Sequence, residues 1–268
     1  MQDYRSINKD LWDKWAQLHL NAEFYDTDSF KKGENTLKST ELSLLGNIKG
    51  RSILHLQCHF GQDTLSLARM GADVTGIDMS EKGIEIAQEL AAELHLPARF
   101  VCSNVLELDE NLKGQFDIVY TSYGTISWLP DLQQWGKIVN HFLKPGGKFV
   151  MVEFHPLLNM YGDRSHFKDI KYGYFKTDVV IEDEIGSYGD PSATEVKGRS
   201  ATWDYSLSEV IMALRAQGLT IDQFYEYDFS HYDIFEDSVV TEKGYQIKGF
   251  EGKLPLMFAL VAKTKISA

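Results

Sequence analysis

From residue 51 onward the apolar positions fall into short runs separated by stretches with a helical period. Ser52–Leu56 is a compact apolar run, and 62–70 places Leu65 and Ala68 on one side of a helix. The run 73–77 is β-branched and closed by Asp78. In the stretch after it, Ile84, Ala87, Leu90, Ala91 and Leu94 recur on one helical face, with Ser80 placed to cap the first turn. Strands are predicted at 99–102 and 116–121, then a helix at 132–143 stopped by Pro145-Gly146-Gly147, then a fifth strand at 148–154. After His155 the period is lost. Residues 156–202 are rich in Gly, Tyr and Asp and hold short β-like pieces at 177–181 and 193–196. The alternation returns with a helix at 206–216 and strands at 219–227 and 256–263, while the first 50 residues read as mainly helical.

Strand, helix, strand, repeated with tight connections, predicts an α/β fold with a doubly wound, mostly parallel sheet of seven strands. Ligands of such sheets lie at the carboxyl ends of the strands. The expected organisation is one domain over 1–268: an N-terminal helical lid segment at 1–50, a cofactor-binding core at 51–155, an insertion over the active face at 156–202, and the rest of the sheet at 203–268. The insertion is too short for a core of its own.

Composition narrows the partners. The 268 residues suit one large domain. With 27 Lys+Arg against 39 Asp+Glu the net charge is −12, a poor surface for a phosphate backbone or anionic lipid. Only a local basic patch around Arg164, Lys168 and Lys171 runs against this. Cys58 and Cys102 are too few for a disulfide framework, and each sits in an apolar stretch where a thiol packs as a small core residue. The start of the chain interleaves acidic and basic residues without an apolar stretch, and no run approaches the length of a membrane span. A cytoplasmic protein acting on a small molecule is expected, with no nucleic acid, membrane or metal partner; a homodimer is compatible with this. Aromatics make up 12% of the chain, and Trp12, Trp15, Tyr25, Tyr172, Tyr174, Phe175, Trp203 and Tyr205 fall outside the regular sheet, where they are placed to form a water-excluding lid.

The chemistry concentrates between Ile53 and Ser80. A strand ends in a turn bearing Gly61, a helix follows, and the next strand ends in Asp78. A tight turn of this kind lets a ligand approach backbone N–H groups and a helix N-terminus, and the acid can accept hydrogen bonds from a ribose diol; Asp78 could alternatively cap the next helix.

These residues, followed by CSNV at 102–105, FDIVYTSYG at 116–124 and LKPGGKFVMVE at 143–153, resemble the class I S-adenosylmethionine-dependent methyltransferases over roughly residues 50–154. The wording LHLQCHFGQDT, and YTSYG followed by WLPDL, is similar to the quinone-biosynthesis branch. The resemblance implies S-adenosylmethionine as cofactor and methyl transfer to a small organic acceptor, aromatic or quinone-like. It places the cofactor against Gln57, His59, Gly61, Asp78, Met79, Asn104, Val105, Ser122 and Tyr123. The family's first loop usually carries three glycines, of which only Gly61 is present; Gln57 and His59 bring polar side chains to the other two positions, where they would meet the methionine moiety. Asn104 stands where an acid is common, and its carbonyl can still accept from an adenine amine while the N–H of Val105 reaches the ring. For an acceptor base or orienting group the residues offer His155, after the fifth strand, and secondarily His231. A dinucleotide oxidoreductase and a non-catalytic S-adenosylmethionine-binding module are the alternatives; Gln57 and His59 crowd the space that a pyrophosphate requires.

Overall fold

The computed structural model describes residues 3–161, 169–175 and 178–265. Three helices lead in, α1 (Tyr4–His19), α2 (Thr27–Lys31) and α3 (Ser39–Leu45). The alternating core follows: β1 (Ser52–Leu56), α4 (Gln62–Arg69), β2 (Asp73–Asp78), α5 (Glu81–Glu93), β3 (Ala98–Cys102), α6 (Leu108–Asn111), β4 (Phe116–Ser122), α7 (Leu132–Phe142) and β5 (Leu143–Phe154). Then come β6 (Val180–Ile185), β7 (Lys197–Thr202), α8 (Leu207–Ala216), β8 (Thr220–Tyr227), β9 (Ser238–Val240), β10 (Tyr245–Ile247) and β11 (Met257–Lys263).

The central sheet has seven strands in the order β3-β2-β1-β4-β5-β11-β8. β1 through β5 pair in parallel, and β11 runs antiparallel to both neighbours. This is the doubly wound, mostly parallel sheet that the alternation predicts. Its strands read as unbroken apolar runs because both faces are covered. Leu54, Val119, Met151 and Leu260 face a layer with Trp135, Ile138 and Phe142 of α7. Their neighbours Ile53, Ile118, Val150 and Val261 face Leu44, Leu45 and Leu67 on α3 and α4.

Local chemistry sets the helix starts. Ser80 accepts from the N–H of Gly83, Asp131 accepts from Gln133 and Gln134, and Ser206 forms a capping box with Glu209. Gly61 begins α4 at φ +83°, and a Cβ there would lie 2.8 Å from the Phe100 ring, so only glycine suits the turn.

Three expectations shift. The Pro145-Gly146-Gly147 turn lies inside β5, as a register shift against β4, and does not precede the strand: Leu143 pairs with Phe116 and Lys148 with Ile118. The piece at 193–196 is turn, and the strand begins at Lys197; the piece at 177–181 becomes β6 from Val180, residue 177 lying outside the described residues. β6 and β7 form an antiparallel ribbon packed on α1. The β9–β10 hairpin was not anticipated, because neither of its short strands is an apolar run.

Candidate functional site

The carboxyl ends of β1, β2 and β4 meet around the turn between β1 and α4. Gln57 and His59 both hold φ +53°, the left-handed conformation for which glycine is the usual residue, so the backbone path of a glycine loop is kept although two side chains are added. Gln57 donates its amide to the carbonyl of Thr125 at 2.8 Å, tying this turn to the end of β4. Its Oε1 and the Nδ1 of His59 are buried without a partner among the described residues. Buried polar atoms of this kind are rare, and an ordered water or a ligand group can supply the missing partner.

Asp78 ends β2 beside this turn. One carboxylate oxygen accepts from the N–H of His59 at 2.8 Å and the other from the N–H of Ser80 at 2.9 Å. Burial pushes its pKa up to about 6 against the pull of the N–H donors of Ser80, His59 and Met79. Each oxygen retains a lone pair. The Asn104 carbonyl accepts from Leu106 N–H at 3.1 Å, which caps the turn opened by the buried Val105 and leaves that oxygen a second acceptor position. Ser122 is buried at the end of β4, against Asp63. Tyr123 follows and donates to Glu41 at 2.9 Å.

Glu153, at the end of β5, organises the turn after β4. Its carboxylate accepts from the N–H groups of Gly124, Thr125 (2.8 Å) and Phe154 (2.7 Å) and from the Thr125 hydroxyl (3.1 Å). Sequence reasoning passed over this residue; the signal was a lone carboxylate in the otherwise apolar run of β5.

Above these turns lies an aromatic and imidazole assembly. His59 Nε2 and His19 Nδ1 are 2.8 Å apart, and His19 Nε2 meets the Ser187 hydroxyl at 2.9 Å. Trp12 sits edge-on to His59, Trp15 and Trp128 at centroid distances of 5.2, 5.2 and 5.1 Å. Tyr25 and Tyr188 share a hydroxyl–hydroxyl hydrogen bond. The Trp15 indole donates to Gly186. Of the lid aromatics expected from the sequence, Trp12, Trp15 and Tyr25 are here. Trp203 instead packs on Tyr4, Tyr205 donates to Leu129, Tyr172 donates to Glu182, the Tyr174 hydroxyl accepts from Leu207 N–H, and Phe175 is exposed. Tyr188 and Trp128 were missed.

His155 is turned away from this assembly. Its Nδ1 accepts from Leu157 N–H at 3.1 Å, so the ring proton sits on Nε2 and donates to Glu226 at 3.0 Å. Burial lowers its pKa despite that carboxylate. With both nitrogens engaged the ring ties β5 to β8. His231 meets the Thr40 hydroxyl at 2.7 Å and lies edge-on to Tyr123 at 6.5 Å. Two open clefts lie at the opposite end of the sheet. The larger, about 430 Å³, is lined by Arg51, Asp117, Lys144, Lys148 and Lys263, cations already engaged by Asp117, by Asp222 or by the α3 carbonyls of Leu44 and Leu45. Of the basic patch, Arg164 and Lys168 lie outside the described residues, and Lys171 is paired with Glu182 at 2.9 Å. Among the described residues no three His, Cys, Asp or Glu converge as a metal site, and no helix is long and apolar enough to cross a membrane.

Comparison with known proteins bears on the same elements. Residues 53–147 match the methyltransferase domain family. The chain is 30% identical to the ubiquinone biosynthesis O-methyltransferase of Chromobacterium violaceum, over 50% of this chain and 58% of that protein. It is 32% identical to that of Bordetella avium, over 48% and 54%. The matched stretch therefore spans little more than half the length of these relatives. In fold, the chain is similar to an S-adenosylmethionine-dependent methyltransferase from Clostridium acetobutylicum, with a TM-score of 0.59 at 15% identity over 95% of this chain and 99% of the other. From β1 to the start of β5 the chain is similar in sequence to the methyltransferase domain family and to part of the ubiquinone biosynthesis O-methyltransferases, and its fold is that of S-adenosylmethionine-dependent methyltransferases.

Proposed function

We propose that the protein transfers the methyl group of S-adenosylmethionine to a small organic acceptor, aromatic or quinone-like, in the cytoplasm. The observation that carries this reading is the junction of β1, β2 and β4, where a glycine-type backbone turn holds two buried unpartnered polar atoms and is bonded directly by the Asp78 carboxylate. Its likeness to O-methyltransferases of ubiquinone biosynthesis supports the acceptor class, and a net charge of −12 supports a small molecule over a polyanion.

When bound, the cofactor supplies a methyl carbon already activated by a sulfonium, so the chain's task is alignment and exclusion of water. Asp78 would accept from the ribose hydroxyls with its remaining lone pairs, beside Met79. Asn104 would accept from the adenine amine, with the N–H of Val105 alongside. Gln57 Oε1 and His59 Nδ1 would gain the partners they lack, and Gly61 would let the ligand approach the start of α4. Ser122 and Tyr123, at the mouth of β4, would meet the cofactor from that side. The rings of Trp12, Tyr25, Trp128 and Tyr188 close over the turn, with the described parts of the N-terminal segment and of the insertion acting as the cover of one domain. In this scheme His155 is a positioning residue, since its proton is committed to Glu226.

Calorimetric titration of the folded protein with S-adenosylhomocysteine tests the reading. A dissociation constant on the order of micromolar is expected. No heat and no thermal shift with either that ligand or S-adenosylmethionine would refute it.

A further inference from the structure

Beside the cofactor turn, between α3 and the end of β4, lies a second polar cluster. Glu41 is fully buried; it accepts from the Tyr123 hydroxyl at 2.9 Å and from the N–H of Lys38 at 3.3 Å. Asp63, on the first turn of α4, accepts from the Thr36 hydroxyl. Burial raises both carboxyl pKa values, Glu41 to about 7 with the Asp63 charge adding to the effect. Neither has an ion-pair partner within bonding distance among the described residues; Lys38 sits over the Tyr232 ring at 5.1 Å, and its charge offsets part of the effect of burial at Asp63. The Tyr120 hydroxyl, on a fully buried side chain in the field of both carboxyl groups, lies beside the Ser122 hydroxyl but meets no partner in hydrogen-bond geometry among the described residues. Tyr232 packs edge-on to Tyr123 at 4.9 Å and forms the outer wall of the cluster.

The cluster is rich in acceptors and poor in donors. Two carboxyl groups with no cation in bonding contact, a hydroxyl able to accept and two aromatic faces are complementary to a cation with several N–H donors, whose charge would favour the ionised carboxylates. We propose that this cluster is the acceptor-recognition subsite and takes a protonated amine, so that the methyl acceptor carries a basic nitrogen beside an aromatic body. The proposal rests on the methyltransferase reading for the word acceptor, and on the cluster alone for the amine. Its position fits. Asp78 ends β2, and Tyr123 follows β4, two strand spacings further along the order β2-β1-β4, roughly 10 Å away.

The test compares 2-phenylethylamine with its neutral counterpart 2-phenylethanol by calorimetry, on the wild type and on Glu41→Gln, Asp63→Asn and Tyr120→Phe, with S-adenosylhomocysteine titrated separately into each. The amine is expected to bind the wild type at least about tenfold more tightly than the alcohol. Each carboxamide variant should erase that preference while changing S-adenosylhomocysteine affinity less than about twofold. Tyr120→Phe changes no charge and removes an unpartnered group, so it should weaken the amine several-fold without lowering the melting temperature; it keeps the test decisive if a carboxamide variant fails to fold. Equal affinity for amine and alcohol, or no binding of either, overturns the proposal. So does a loss of S-adenosylhomocysteine affinity in the variants as large as the loss of amine affinity, because the carboxylates would then serve the cofactor's own ammonium. Failure of the wild type to bind S-adenosylhomocysteine counts against the methyltransferase reading alone, since the amine preference is read with no cofactor present.

Discussion

His19 and His59 meet ring to ring, Nδ1 to Nε2 at 2.8 Å, and this contact fastens the last turn of α1 to the turn that follows β1. Only one ring can donate the shared proton, and burial pushes both pKa values down, His19 to about 3, so both rings are neutral. The other nitrogen of His19 holds Ser187, which brings the loop after β6 into the same latch. Replacing His19 by alanine removes both bonds and leaves a buried partner unpaired, a loss of about 2–4 kcal/mol. Hydrogen exchange should then accelerate in the second half of α1 and around residues 186–190 while β1 and β4 stay protected. A uniform change across the chain, or none, would contradict the latch.

The buried imidazoles also set a pH dependence. His55 and His19 are held near pKa 3 and His231 near 4, in each case chiefly by burial, against an unfolded value of about 6.5. Between pH 6.5 and 4 the unfolded chain therefore binds more protons, and these groups contribute stability that is present above 6.5 and lost on acidification. Glu41, near 7, and Asp78, near 6, act in the opposite sense: the folded state holds their protons more tightly, so their contribution falls as pH rises toward those values. The melting temperature should peak at pH 6–7 and fall on the acid side. His55→Gln should make the acid limb shallower; an unchanged limb would mean that His55 is not the neutral buried group described.

Much of this fold was legible because a sheet covered on both faces writes its strands as apolar runs, as in Ser52–Leu56 and Met257–Lys263. Polar strands were not. β7 reads Lys-Gly-Arg-Ser-Ala-Thr and is held by backbone pairing with β6, so the expected strand was put a few residues too early. The turn bearing Gly61 and Asp78 was visible as a local spacing. The cluster of Glu41, Asp63 and Tyr120 was not, because its members are far apart in the chain and each has an ordinary role nearby: Glu41 closes a capping box and Asp63 sits in a helix first turn. His155 shows the converse, since its position after β5 suggested a base, but its partner Glu226 comes from β8.

Asp78→Ala should abolish or strongly weaken S-adenosylhomocysteine binding. The carboxylate bonds both the turn after β1 and the start of α5, through His59 and Ser80. Its loss removes the ribose acceptor and loosens the turn together. Asp78→Asn keeps one acceptor oxygen and should weaken binding less. Calorimetry that finds wild-type affinity in the alanine variant would remove Asp78 from the site.

Glu153 should matter for stability before it matters for ligands. Its buried carboxylate satisfies donors on Gly124, Thr125 and Phe154, so Glu153→Ala strands the buried N–H of Thr125, at about 1–3 kcal/mol, and the half-buried N–H groups of Gly124 and Phe154 at less. A loss of about 3 kcal/mol corresponds to a fall in melting temperature of roughly 6–12 °C for a chain of this size. Glu153→Gln retains one acceptor oxygen and should lie between. Thermal melts that place both variants at the wild-type value would contradict the account of this turn.

Gly61 combines two constraints that a pair of substitutions can separate. At φ +83° any side chain strains the backbone by about 1–2 kcal/mol, and a Cβ would also lie 2.8 Å from the Phe100 ring and 2.9 Å from the Ala87 methyl. Overpacking of this kind adds about 1–3 kcal/mol. Gly61→Ala should therefore cost roughly 2–5 kcal/mol. Phe100 fills the space that Gly61 and Gly76 leave open, since a Cβ on Gly76 would also meet that ring at 2.8 Å. Phe100→Leu alone should destabilise by opening that space, but in its presence Gly61→Ala should cost only the backbone strain and whatever contact with Ala87 remains. A double-mutant cycle by denaturant unfolding measures the difference. A favourable coupling of about 1–3 kcal/mol is expected, and strict additivity would show that the backbone conformation alone demands glycine at the start of α4.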